Sequence, residues 1–365
     1  MRRITLGLTL IVLFAFGITS TQAQDGAPDA TPEATAIAEV AAYIPPLSLP
    51  PSARLTGMTP VYQNFNRCAA AALTMQLSYF GWKGTYYQTI HALNPNEDDV
   101  AVRMDEMVDF AGQQGLKGVY RSGGTIDLLK ALVAGGFPVL VKNAYYDGPN
   151  AFQDFMGHNR VVMGYDESKQ ELYTFDSLLG DGPDNTGRPL SYTDFEARWR
   201  PFNRIFLVLY HPEDESKVEQ IMGDYWDNTY GSKIALQQSQ AELDSGKADS
   251  YTLFNMGSSL VDLGQYAQAA DDFDKARKTG LPWRMMWYQY GPFEAYLKVG
   301  RYDDVINLAH DVIATTPGVE ETYYYAGLAY QAEGDLQRAK NNFEVAVWRN
   351  SDFTAAKTAL TSVGG

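Results

Sequence analysis

The chain has 365 residues, 45% of them hydrophobic and 20% charged, and a formal net charge of −15. This is the composition of soluble globular protein, with enough chain for two domains and two separate cores. The acidic balance repels nucleic-acid phosphates and no Lys/Arg-rich run offsets it, so nucleic-acid binding is excluded, while solubility and basic partners are favoured.

The N-terminus carries Met1, Arg2 and Arg3, then the almost wholly apolar stretch Ile4 to Ile18, then Thr21-Gln22-Ala23 with small residues at −3 and −1. Residues 1–23 therefore read as a secretory signal peptide cleaved before Gln24. A run of about 15 apolar residues is short for a membrane span, which needs ~20. A secreted or extracytoplasmic protein with no stable span after cleavage is expected. Residues 24–53, rich in Ala, Pro, Thr and acids, read as a semi-extended linker.

Residues 54–212 form one compositional block. Ala69 to Phe80 has helical spacing and stops at Gly81. Asp105 to Gln114 and Thr125 to Ala134 are further helices, the last capped by Thr125. Pro138 to Lys142, Asn159 to Tyr165 and Glu171 to Phe175 read as strands, the last two joined by the polar turn 166–170. Tyr192 to Trp199 is a short helix and Arg204 to Tyr210 a final strand. Helices first and strands afterwards predict an α+β domain. Residues 213–247 read as a charged helical bridge.

From 248 to 365 a period appears. Gly264, Gly300 and Gly334 recur, followed by Tyr266, Tyr302 and Leu336, then Ala269, Val305 and Ala339, then Phe273, Ala309 and Phe343. Small residues at such positions let antiparallel helices approach, and bulky ones fill the adjoining hole. The pattern resembles tetratricopeptide repeats, with the second unit degenerate and a terminal helix over Phe353 to Val363. An all-α repeat domain that binds a protein partner is the expectation.

Chemistry centres on Cys68, the only cysteine, which cannot form an internal disulfide. It opens a helix, where free N–H groups and the helix dipole stabilise a thiolate. Gln63, five residues earlier, is placed to donate an amide hydrogen to an oxyanion together with the Cys68 N–H. His158 begins a strand and Asp176 ends the next, so a hairpin brings them together; the aspartate would orient the imidazole. Asp166, in the turn, is the weaker rival for that place.

Gln-x5-Cys at a helix start, Gly157-His158 before an apolar strand, an Asp ending the next strand, and the segment Leu128 to Val139 together resemble the C39-like branch of papain-fold cysteine peptidases over about residues 58–212. The resemblance implies a papain-like fold, Cys68 as nucleophile, His158 as base, Asp176 as orienting acid and Gln63 as oxyanion residue, acting on a peptide or protein substrate without cofactor or metal. Where that family usually has Asn or Asp before the cysteine and Gly after it, this chain has Arg67 and Ala69. Arg67 is expected to lower the thiol pKa, and Ala69 to narrow access. The leader-processing role of proven members does not carry over, since nothing here resembles transporter spans or an ATPase.

Two rival readings stand beside the peptidase: a catalytically inactive papain-like and repeat module that only binds protein, and thiol-based acyl transfer or amide hydrolysis on a non-protein substrate. His91, His211 and His310 read as surface or packing residues, with no pair at metal-ligand spacing. Gly180 to Gly187 reads as a plain turn and not a calcium loop. The aromatics from Trp283 to Tyr290 read as repeat packing and not a ligand box.

Overall fold

The computed structural model describes residues 39–146 and 155–365; the expected signal peptide and the first half of the linker lie outside them. The strands are β1 (Ser52–Arg54), β2 (Lys117–Arg121), β3 (Val139–Tyr146), β4 (Phe155–Asp166), β5 (Glu171–Asp176), β6 (Arg188–Ser191) and β7 (Phe206–Tyr210). They pair antiparallel in one sheet ordered β2-β7-β3-β4-β5-β6, with β1 on the end of β4 that β3 leaves uncovered. The helices among them are α1 (Cys68–Tyr79), α2 (Tyr86–Leu93), α3 (Met104–Gln113), α4 (Ile126–Ala134) and α5 (Tyr192–Trp199). At the start of α4, Thr125 Oγ1 accepts from Leu128 N at 3.1 Å, the expected cap.

Both faces of the sheet are buried, which is why its central strands read as unbroken apolar runs. Leu140, Val161, Met163, Leu207 and Leu209 face α1 and α3. Val139, Val141, Val162, Phe206 and Val208 face α4 and α5. Each fully buried Val or Leu here contributes roughly 1.5–3 kcal/mol. The sequence pattern does not show β1, β2 and β6: they are short, and their side chains are mostly half-buried or exposed. Because β2 lies between α3 and α4, the strict order of helices before strands is broken. The later part of the linker is also not loose. Tyr230 Oη donates to Ala41 O at 2.6 Å, Tyr43 Oη to Ile221 O at 2.7 Å and Tyr165 Oη to Pro50 O at 2.8 Å.

Beyond the sheet come α6 (Glu215–Met222), α7 (Tyr230–Asp244), α8 (Ser250–Asp262), α9 (Tyr266–Thr279), α10 (Gly291–Lys298), α11 (Tyr302–Thr315), α12 (Glu320–Ala332), α13 (Leu336–Arg349) and α14 (Thr354–Ser362). The recurring glycines occupy the turns between paired helices, with φ of +74° at Gly264, +78° at Gly300 and +83° at Gly334, a backbone that other residues rarely adopt. Within the pairs, a Cβ at Gly257 would stand 2.7 Å from the Phe273 ring, and one at Gly327 would stand 2.5 Å from Phe343. These two helix crossings are thus set by glycine against phenylalanine.

The sheet region keeps an apolar cluster on each face, and the cluster of the helical region reaches into it. Ala144, Phe155 and Phe202, from the sheet region, belong to the same apolar cluster as Phe254, Phe273, Phe293 and Phe343. Polar contacts reinforce the join. Arg200, just after α5, pairs with Glu242 of α7 at 2.9 Å and with Asp249, the cap of α8, at 2.7 Å. The second helix pair is degenerate for a related reason. Its first helix, α10, has 8 residues where α8 and α12 have 13. The chain before α10 instead packs on the sheet, with Gln289 Nε2 donating to Pro201 O at 3.1 Å. No helix of the described residues is long and apolar enough to cross a membrane.

Candidate active site

Cys68 is the first residue of α1 and is half-buried. The loop before it turns through Asn66 in left-handed backbone, φ 56°, and is held by Tyr86, whose hydroxyl accepts from Asn64 N at 2.9 Å. No side chain caps α1 and no acid sits in its first turn, so nothing there opposes the pull of the helix dipole on a negative sulfur. The Asn159 amide Nδ2 donates to Sγ at 3.4 Å, and Sγ lies 3.9 Å from the Gly157 carbonyl oxygen.

His158 stands between these two residues on β4. Its Nε2 is 2.8 Å from Asp176 Oδ1, which leaves Nδ1 as the nitrogen available to the thiol. The pairing comes from strand register: Arg160 lies directly across from Asp176, so the beginning of β4 meets the end of β5. Asp176 is held from several directions. Its Oδ1 accepts from Leu178 N and Leu179 N at 2.9 Å each, and its Oδ2 is 2.7 Å from Arg160 Nε.

These contacts set the charges. Burial disfavours the thiolate, but the hydrogen bond and charge of His158, with the side chain and backbone of Asn159, bring the Cys68 thiol down to about 7. Burial likewise disfavours the imidazolium, yet Asp176 and Cys68 push His158 up to about 9. Burial would also raise Asp176, and it is overcome by the His158 hydrogen bond and charge, the Arg160 charge and the Leu179 N–H, so the carboxyl lies well below the usual carboxylate range. Between about pH 7 and 9 the thiolate–imidazolium pair is the favoured form.

Gln63 is anchored close to the end of β5: its backbone N–H donates to Ser177 O at 2.9 Å, and its Oε1 accepts from Ser177 Oγ at 2.8 Å. The carbonyl end of the amide is thereby occupied, and the NH₂ end is the one oriented away from Ser177. Arg67 does not act as expected. Its guanidinium turns from the thiol and donates to the carbonyls of Glu97 and Asp99 at 3.0 Å each. Ala69 is buried in the core between α1 and the sheet and does not stand over the cleft. Asp166 sits at the far end of β4, accepting from Ser168 Oγ at 2.6 Å. His91 and His310 are exposed, and His211 packs edge-on against Phe80.

Three residues near the thiol carry no sequence motif that announces them. Asn159 is one; its position beside His158 is the only hint. Arg160 is the second. The third is Lys142, a buried lysine directly across from Asn159 on β3, whose Nζ donates to Val102 O at 2.9 Å. Burial lowers its pKa, and the negative charge of Cys68 is the leading opposing influence.

A second group of buried charges lies where α3 meets α12. Carboxylate oxygens of Glu106, Glu320 and Glu321 come within 4.8 Å of one another. Arg103 is ion-paired to Glu321 and lies 3.6 Å from Glu106, and Asn350 Nδ2 donates to Glu320 at 2.7 Å. Burial, then the Glu321 charge, raise Glu106 to about 7 and Glu320 to about 8. Asp99 is also raised well above its usual value, by burial and by Glu320 and Glu321.

Residues 53–205 match the model of the Peptidase_C39 like family. No curated protein matches the sequence. Among solved structures, a double glycine motif protease from an AMS/PCAT transporter, in complex with the leader peptide, is 18% identical; the alignment covers 43% of this chain and 93% of that one, with a TM-score of 0.32. Xylellain, a cysteine protease from Xylella fastidiosa, is 16% identical over 48% of this chain and 94% of its own, with a TM-score of 0.36. MamA from Desulfovibrio magneticus RS-1, residues 41 to the end, is 23% identical over 41% of this chain and 93% of its own, with a TM-score of 0.31.

Proposed function

Since residues 53–205 match the model of the Peptidase_C39 like family, we propose that this chain is an exported cysteine peptidase that hydrolyses peptide bonds through Cys68, His158 and Asp176. The observation that carries the reading is geometric: Asp176 lies 2.8 Å from one nitrogen of His158, on the strand whose next residue, Asn159, donates to the thiol, and the lowered thiol and raised imidazole agree with it. Cys68 Sγ attacks the scissile carbonyl. The tetrahedral oxyanion is stabilised by the Cys68 N–H and the Gln63 amide, the latter held in orientation by Ser177. The His158 imidazolium protonates the leaving amine. The resulting neutral imidazole then draws a proton from water, which attacks the thioester and restores the enzyme. Asp176 keeps the ring in the productive orientation throughout.

Arg67 and Ala69 are the departures from the family pattern that would favour an inactive module. The first is engaged with backbone carbonyls and the second is in the core, so neither speaks against a working thiol. Export rests on the N-terminal sequence, and recruitment of a protein partner rests on the repeat-like helix pairs.

The test is alkylation of Cys68 by iodoacetamide across pH. The wild-type protein should show a midpoint near 7. His158→Ala should move it toward ~8.5, the value of a free thiol, and slow labelling at pH 7 by roughly tenfold to twentyfold. Identical profiles for the two proteins would defeat the reading.

A further inference from the structure

The segment that shortens the second helix pair does more than join two regions. Tyr288, three residues before α10, lies against Gly157 of β4, the residue that precedes His158 and whose carbonyl faces the thiol. A Cβ at Gly157 would stand 3.1 Å from Tyr288 Cδ1, 3.2 Å from Tyr288 Cγ and 3.2 Å from Phe202 Cζ, so the tyrosine ring closes tightly over the glycine and a side chain there would push on it by a few tenths of an ångström. The ring is itself fixed, 6.4 Å from Phe155 and 6.1 Å from Phe202 between centroids. Gln289, the next residue, holds the segment to Pro201 O.

Resting on the cysteine-peptidase reading above, we propose that Tyr288 is a positioning residue: through its packing on Gly157, the helical region sets the backbone of β4 at the point where it presents His158 and Asn159 to Cys68. The helical region is then part of the catalytic unit and not only a recruitment module on a tether. Its phenol also lies within the electrostatic reach of the site. Burial, and then the Cys68 charge, push Tyr288 up to about 12, opposed by the Gly157 N–H, which favours a negative phenol oxygen. A residue some 130 positions away in sequence thus bears on the strand that carries the base. One turn of helix is given up at α10 to deliver it.

The test uses the full chain and the same alkylation profile. Tyr288→Phe keeps the ring and removes the oxygen; Tyr288→Ala removes the ring from Gly157. Tyr288→Ala should raise the Cys68 midpoint, whereas Tyr288→Phe, which keeps the ring on Gly157, should leave it near the wild-type value. A rise of one unit takes the thiolate fraction at pH 7 from about a half to about a tenth, roughly a fivefold slower reaction. Gln289→Ala, which loses the polar contact to Pro201 but leaves Tyr288 in place, should lower the melting temperature without moving the midpoint. His158→Ala tells the two claims apart. If it changes the profile while Tyr288→Ala matches wild type, the positioning role is overturned and the peptidase reading stands. If Gln289→Ala moves the midpoint as far as Tyr288→Ala, the positioning role is overturned as well, because docking in general and not Tyr288 would govern the site. If His158→Ala changes nothing, the peptidase reading falls and this inference with it.

Discussion

Asp176 and Glu320 are both carboxylates with almost no exposed surface, at 3% and 2%, yet their pKa values move in opposite directions. Burial alone raises both. Asp176 faces His158, Arg160 and two backbone N–H groups, and these more than repay its lost hydration. Glu320 faces Glu321 and Glu106, with only the Asn350 amide and its own backbone N–H donating to it and Arg103 engaged with Glu321 and Asp105. The candidate site is thus a charge-compensated pocket, while the interface between α3 and α12 holds more acid than its cations balance. Depth sets the size of the stakes, and the immediate partners set the sign.

The largest effect is expected from breaking the compensated side. Asp176→Asn leaves His158 and Arg160 buried without their counter-charge. It should cost about 3–5 kcal/mol of stability, and the Cys68 alkylation midpoint should rise as it does in His158→Ala. Chemical denaturation together with the labelling profile measures both. A stability loss below about 1 kcal/mol would mean that water or another group compensates the cations.

Next in size is the loss of the one arginine in the acidic group. Arg103→Ala should lower the melting temperature by several degrees at pH 8 and by much less at pH 5, where Glu106 and Glu320 have taken up protons. The groups facing that pocket are Asp99, Asp105, Glu106, Glu320 and Glu321, with Lys142 also within reach of their charge. A melting temperature unchanged at both values of pH would mean that Arg103 does not offset the acids.

Glu320→Gln sharpens the contrast in the stabilising direction. Its folded pKa, near 8, stands above the ~4.3 of an exposed glutamate. The stability linked to it is therefore present in full below the unfolded value and is lost as pH rises through about 8. Glutamine, which mimics the protonated form, should raise the melting temperature by a few degrees at pH 8–9 and leave it unchanged near pH 5. His158 has the same sign, losing its contribution as pH rises through about 9. Cys68 has the opposite sign, losing its contribution as pH falls through about 7. Scanning calorimetry of wild type and variant across pH 5 to 9 isolates the glutamate.

The smallest effect is expected from Arg67→Ala. Its guanidinium points to the carbonyls of Glu97 and Asp99, so the Cys68 midpoint should stay within a few tenths of a unit of wild type while the loop they belong to loosens. A large upward shift would show that Arg67 acts on the thiol at long range.

How legible each part was depends on how local its cause is. The N-terminal placement of Cys68, the capping of α4 by Thr125 and the glycine turns at 264, 300 and 334 all follow from patterns within one or two turns of chain, and the structure has each. The meeting of His158 with Asp176 follows from a single hairpin, whose register converts an eighteen-residue separation into a contact. The adjacency of Arg67 to Cys68 does not say where a long side chain points; two carbonyls some thirty residues onward claim it. The edge strands β1, β2 and β6 were invisible because their side chains are unevenly buried and leave no clean alternation.

The helix that presents the thiol, the hairpin that pairs imidazole with carboxylate, and the small and bulky positions that close the helix pairs can be read along the chain, since each depends on a fixed short period in the backbone. That Asn159 and Lys142 lie beside the thiol's strand, that Tyr288 packs on Gly157, and that Glu106, Glu320 and Glu321 gather in one pocket cannot. Those meetings bring together side chains from distant elements. Their energies come from burial and from the sign of the neighbouring charge, and both exist only once the chain has packed.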